Sequence, residues 1–306
     1  MSIRTTSTEQ RCGVCGATFV PAFAYQRITN PSGATWVCSE PCRLALIDRG
    51  KGPAPRRVLR IAVLNQKGGT GKTTTSVNVA AGLAVHQRRT LLLDADSQGH
   101  VCVSLGLKGG KGLYHLLVEG APLADCSVRA RENLDVVPGD ERLASADIYL
   151  ARMNEGRDRV LRERLESLPD HDVVLVDCGP SLSLLNLNVL TFVDRVLIPV
   201  SCDYLSLVGV RQIMRTIQSV NERLGHPVEV LGVLPTFYDS RNRISDEAIQ
   251  SLTAHFGDRV MPPIRVNTRL KEAPSHRLSI FDYDPDSRGA EDYRRAVQWI
   301  LDRTAG

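Results

Sequence analysis

The residue types in Asn65-Gln-Lys-Gly-Gly-Thr-Gly-Lys-Thr-Thr74 suit the binding of a triphosphate. The segment lies between a short β-branched run and a helical pattern, so its successive backbone N–H groups face the positive end of a helix. Gly68, Gly69 and Gly71 let the chain close round phosphates, and Thr70 and Thr74 complete the loop. Lys72 would neutralise β and γ oxygens, and the Thr73 hydroxyl would ligate magnesium. Two other strand-like runs end in acids. Leu91-Leu-Leu-Asp94-Ala-Asp96-Ser-Gln-Gly99 brings Asp94 and Asp96 to the carboxyl edge of a parallel sheet, where ligands of open α/β sheets bind. Asp172-Val-Val-Leu-Val-Asp177 has the form of a strand whose final carboxylate, Asp177, holds magnesium through water.

A second constellation is thiol-based. Cys12-Gly-Val-Cys15 and Cys38-Ser-Glu-Pro-Cys42 flank a hairpin-like Pro31-Ser-Gly33 and lead into Arg43-Leu-Ala-Leu-Ile47. Such pairs give four thiolates tetrahedral access to one zinc ion, and the layout resembles a treble-clef finger. So short a segment has little core, and metal binding, worth about 10–16 kcal/mol in comparable peptides, would supply its folding energy. Phe19, Phe23, Tyr25 and Trp36 are expected to form what core there is. Cys102, Cys126, Cys178 and Cys202 sit in apolar surroundings and read as small core residues.

These groups need elements to hold them. Unalternated apolar runs at Val58 to Asn65, Thr90 to Asp94, Leu134 to Val137, Asp172 to Asp177, Arg195 to Val200 and Val228 to Leu234 suit strands buried on both faces. With helical patterns between them, the expectation is an α/β fold, a mostly parallel sheet with helices on both faces. The Gly-, Pro- and charge-rich segment Asp48 to Arg57 reads as a linker. The expected division is a zinc module at 1–48, a linker at 49–57 and a nucleotide-binding domain at 58–306. Near the end, Tyr293, Ala296, Val297, Ile300 and Leu301 share a helix face, opposite Arg294 and Arg295, and should pack on the sheet. The 306 residues hold no apolar run long enough to span a bilayer and no signal-peptide core, which points to the cytoplasm. Eight cysteines without an export signal argue against a disulfide framework. A net charge of +4 permits contact with phosphate backbones but does not decide it.

The loop Lys67-Gly-Gly-Thr-Gly-Lys-Thr-Thr74 departs from an ordinary phosphate loop by its extra lysine, and in this it resembles the deviant Walker A box of the ParA/MinD ATPases. The resemblance runs over residues 57–304. Ile198-Pro-Val200, Tyr204-Leu-Ser-Leu-Val-Gly209, Asn267-Thr-Arg-Leu-Lys-Glu-Ala-Pro-Ser-His276 and Ser287-Arg-Gly-Ala-Glu-Asp-Tyr293 look like the chromosome-partition, Soj-like subgroup. It implies ATP as the ligand and Lys67 as a catalytic residue that reaches across a homodimer to the partner's nucleotide. It also implies that Asp96 activates water and that Asp94 supports the magnesium shell. Ser97 stands where the family has proline, and Cys178-Gly179 where it commonly has two prolines.

The family binds nonspecific double-stranded DNA as the ATP dimer, which implies Arg241, Arg243 and Arg269 as contacts and places the chain on the nucleoid. Arg265-Val266 replaces the usual Pro-Arg before Asn267. The resemblance also implies slow hydrolysis and stimulation by a ParB-like protein or cargo adaptor received at the N-terminal extension, with no membrane attachment. The rival reading is a zinc-finger transcriptional regulator or scaffold in which nucleotide binding is sensory or vestigial.

Overall fold

All the apolar runs expected as strands pair into one sheet, joined by an edge strand that was not expected. In this computed structural model, residues 9–30, 33–50, 58–108, 110–166, 168, 171–181, 183–203, 206–224 and 227–304 are described. Pro31-Ser32, linker residues 51–57 and Tyr204-Leu205 lie outside the described residues. Contacts divide the chain into two units, Met1–Arg57 and Val58–Gly306.

In the larger unit β1 (Leu59–Val63), β2 (Thr90–Ala95), β3 (Val128–Arg131), β4 (Leu134–Val137), β5 (Val173–Cys178), β6 (Arg195–Ser201) and β7 (Glu229–Thr236) join in the order β7-β6-β1-β5-β2-β4-β3. Every pairing is parallel except β3 against β4. The edge strand β3 escaped notice because Val128-Arg-Ala-Arg131 carries two arginines and is only half-buried. Charge on an edge blocks further strand addition and erases the apolar signal.

Alternate residues of the central strands feed different cores. Ile61, Val63, Leu92, Leu175 and Leu197 meet Val79 and Leu83 of α1 (Lys72–Val85) on one face. Ala62, Leu91, Leu93, Val174 and Val176 meet, on the other, Val189 and Phe192 of α3 (Leu184–Phe192) and Ile213 and Ile217 of α4 (Ser206–Leu224). Between these helices in sequence comes α2 (His100–Leu105), and after them α5 (Arg243–Phe256), α6 (Thr268–Glu272) and α7 (Arg288–Thr304). Tyr293, Ala296, Val297 and Ile300 of α7 are buried as expected, with Leu301 partly so. Cys102, Cys126, Cys178 and Cys202 are all buried. Among the described residues no helix is long and apolar enough to cross a membrane.

The smaller unit is built from short pieces. Gln10–Arg11 pairs with Thr18–Phe19, and Arg27–Asn30 pairs with Gly33–Trp36, both antiparallel. A helix, Glu40–Gly50, follows. Its centre is not the aromatic cluster that the sequence suggested. Among the described residues Cys12, Val37 and Gln26 are buried, while Phe23 is 62% exposed and stacks on Tyr25 at 5.6 Å. Gln26 acts as a polar hub, accepting from the N–H groups of Ala22 and Phe23 and donating to the carbonyl of Cys38.

Leu175 lies at the centre of the sheet with no exposed surface. Leu175→Ala is expected to cost about 2–5 kcal/mol through lost burial and a residual cavity. The readout is a lower urea midpoint with an unchanged m-value.

Candidate functional site

The loop between β1 and α1 is held from several sides. Asn65, fully buried, donates from Nδ2 to the Pro199 carbonyl of β6 and accepts the Lys67 N–H on Oδ1. Thr236, at the end of β7, donates to the Thr70 carbonyl at 3.0 Å. Gly71 precedes the helix at φ 81°, a left-handed conformation that a glycine adopts without strain. The loop thus delivers its N–H groups to the start of α1 with neighbouring strands as the frame.

Beneath it lies Asp177, the penultimate residue of β5. Its Oδ2 accepts from Thr73 Oγ1 at 2.8 Å and its Oδ1 from Ser76 Oγ at 2.8 Å. Burial pushes the Asp177 carboxyl up to about 6, against the pull of those two hydroxyls. Lys72 is also buried; its Nζ donates to the Lys67 carbonyl at 3.2 Å, and desolvation lowers its pKa while Asp177 and Asp96 oppose that. The structure therefore brings Lys72, Thr73 and Asp177 together. Ser76 belongs with them and was missed, because a serine within a helix carries no signal of its own.

Asp94 stands in register with Asp177 on the neighbouring strand. It is fully buried, accepting the Asp96 N–H on one oxygen and the Val101 N–H on the other, each at 3.1 Å. It shapes the turn that presents Asp96. Asp96 is half-buried and accepts the Gln98 N–H at 3.0 Å, and Ser97 in place of proline leaves the turn closed by Gly99 N–H to the Asp96 carbonyl. Another backbone presses against this turn. A Cβ on Gly139 would meet the carbonyl oxygens of Asp94 and Asp96 at 2.6 and 2.7 Å, and one on Gly99 would meet the Gly139 carbonyl at 2.7 Å. Nothing in the sequence around Pro138-Gly-Asp140 announced this contact.

Lys67 turns to its own chain. Its Nζ lies 2.7 and 2.8 Å from the two oxygens of Asp203, which also accepts from Ser201 Oγ at 2.7 Å. Arg241 and Arg243 are 88% and 90% exposed and pair with Asp239 and Glu247, while Arg269 pairs with Glu272 and Asp284. Their two loops are neighbours, because Val266 N–H donates to the Tyr238 carbonyl. Beside Gly71 and Thr74 a pocket is lined by Phe237, Ile264, Asn267 and Tyr293. In the smaller unit the sulfurs of Cys12, Cys15, Cys38 and Cys42 lie within 4.8 Å of one another. The Cys15–Cys38 and Cys38–Cys42 separations are 3.5 and 3.7 Å. A tetrahedron with metal–sulfur bonds of about 2.3 Å has edges of about 3.8 Å, so this donor set suits zinc.

The buried acids set a pH dependence. Burial, reinforced by the charge of Asp177, pushes Asp94 up to about 8. Asp94 and Asp177 therefore hold protons in the folded chain that the unfolded chain has already lost above the ordinary carboxylate range. Their contribution to stability is complete below about pH 4 and is lost as pH rises through about 6 and 8. Nucleotide-free protein is expected to show a falling urea midpoint from about pH 5.5 to pH 8, and Asp94→Asn should flatten that slope.

Comparison with known proteins agrees with this geometry. A family model described as an AAA domain matches residues 58–230. The chain is 38% identical over 257 residues to the chromosome partitioning protein ParA of Caulobacter vibrioides, covering 81% of this chain and 95% of the relative. It is 42% identical over 239 residues to the sporulation initiation inhibitor protein Soj of Bacillus subtilis, covering 76% and 94%. Cobyrinic acid a,c-diamide synthase from Mycobacterium smegmatis, solved with bound ADP and magnesium, superposes with a TM-score of 0.70 at 32% identity, covering 81% of this chain and 97% of that one. Matches of this extent carry the conclusion: this chain belongs to the ParA family of P-loop ATPases.

Proposed function

We propose that the chain is a nucleotide-switched dimer that positions DNA or another large cargo. It binds ATP through Lys67 to Thr74, dimerises on the nucleotide, holds nonspecific duplex DNA as the dimer, and returns to the monomer on slow hydrolysis. The observation that carries this reading is the Thr73–Asp177 contact beneath a loop of N–H donors. Thr73 and Asp177 offer the hard oxygen ligands that magnesium takes, and the ion would offset charge on the β and γ oxygens. Lys72 meets the same oxygens. Asp96 orients the attacking water, and Asp94 holds the turn that aims it. Lys67 would leave Asp203 to reach the nucleotide of a second copy. Arg241, Arg243 and Arg269 would exchange carboxylates for DNA phosphates. The relatives' names, chromosome partitioning protein among them, support DNA as cargo and a cytoplasmic, nucleoid-associated location.

In this reading residues 1–48 hold structural zinc and receive a ParB-like protein or cargo adaptor, 49–57 link, and 58–306 form the ATPase. The deciding experiment is ATP turnover by the zinc-loaded chain with and without duplex DNA. Slow turnover, raised by DNA and abolished in Asp96→Ala, is expected, and Arg269→Glu should lose DNA retention while keeping ATP binding. Absence of turnover combined with sequence-specific DNA binding would instead favour a zinc-finger regulator. For the smaller unit, chelation should release one zinc per chain and unfold that unit while basal turnover persists; intact structure after complete chelation would exclude the metal's structural role.

A further inference from the structure

The pocket wall beyond Gly71 is held by an ion-pair cluster that the phosphate loop and the acids do not use. Asp292, on α7, is fully buried and accepts from Arg265 through the backbone N–H at 2.9 Å, Nε at 3.0 Å and Nη2 at 2.7 Å. Arg295 donates to the same carboxylate, and Glu291 accepts from Arg265 Nη2 at 2.7 Å. Such a buried carboxylate is tolerated only when hydrogen-bonded this fully, so the cluster has one stable arrangement. Arg265 is also a position where the chain differs from the Pro-Arg of the family it resembles.

From Arg265 the constraint continues through backbone. Ile264 N–H donates to the Pro235 carbonyl at 2.8 Å, Tyr238 N–H to the Ile264 carbonyl at 3.0 Å and Val266 N–H to the Tyr238 carbonyl at 2.9 Å. These bonds bracket Phe237, which sits at φ 55°, a left-handed conformation that a bulky side chain adopts only when its surroundings impose it. The Phe237 ring lies 3.7 Å from where a side chain on Gly71 would begin. Arg265 and Phe237 line the same pocket, adjacent to the phosphate loop.

We infer that Arg265 and Asp292 are positioning residues for the base-and-sugar end of the nucleotide: their clamp fixes residues 264–266 and, through them, Phe237, so that this wall is formed before the ligand arrives. The inference rests on the reading of the phosphate loop as an ATP site. It gives a division of labour, with the loop binding the triphosphate and the clamped wall binding the remainder.

The test compares ATP with inorganic tripolyphosphate, which needs the loop but not the wall. Binding of both, and steady-state ATP turnover, are measured on the full chain with magnesium for Arg265→Ala and Arg265→Lys. Arg265→Lys keeps a charge against Asp292 and gives the result if Arg265→Ala does not fold. In Arg265→Ala the KM and Kd for ATP are expected to rise about tenfold, because the wall must then be ordered on binding, with a smaller rise in Arg265→Lys. The kcat should stay within about twofold, and tripolyphosphate affinity should not change. Unchanged ATP affinity in the folded variants would overturn the inference, as would parallel loss of both ligands or a fall in kcat alone. Failure of the unmutated chain to bind ATP or tripolyphosphate would be a different result, removing the nucleotide reading itself.

Discussion

The carboxylate of Asp177, taken between the hydroxyls of Thr73 and Ser76, ties the central strand to the first turn of the helix that follows the phosphate loop. A carboxylate so buried is costly, and its raised pKa records the cost. It is tolerated because two hydroxyls bond it and Lys72 lies close by. The surrounding arrangement follows. β5 must lie between β1 and β2 for Asp177 to face both the loop and Asp94. Helices must then cover both faces, since neither face of so apolar a strand tolerates water.

Much of this was legible in the sequence because it depends on local pattern. The loop lies between a strand and a helix, acids end apolar strands, and cysteines come in close pairs; each is a short-range signal with a physical reason. What was not legible depends on contacts between distant segments. Asp203 meets Lys67 across 136 positions, and Asp292 meets Arg265 across 27. Asp94 shows the difference within one residue: its place at a strand end was readable, but its use by two backbone N–H groups required the turn geometry. The small unit failed in a related way. Its aromatic residues looked like core, yet a glutamine with three hydrogen bonds shares the buried centre with Val37 and Cys12.

Lys67 and the three arginines proposed to meet DNA are alike in being already paired. Lys67 has Asp203, and Arg241, Arg243 and Arg269 have carboxylates within their own or adjoining turns. Any encounter that recruits them is an exchange of partners, with little net gain per contact and strong dependence on salt. Such contacts suit an interaction that must be reversible. The ion pair at Asp292 is of another kind: its carboxylate is fully buried and multiply bonded, and it fixes a wall.

The close approach of Gly139 to the Asp94–Asp96 turn joins two segments main chain to main chain. The pressing atoms are mainly main-chain carbonyls, so alanine replacement at Asp94 or Asp96 would report the loss of those carboxylates and leave the approach itself unseen. The contact is vulnerable in the opposite sense. It tolerates loss of atoms and not their addition, so it is maintained by keeping a space empty.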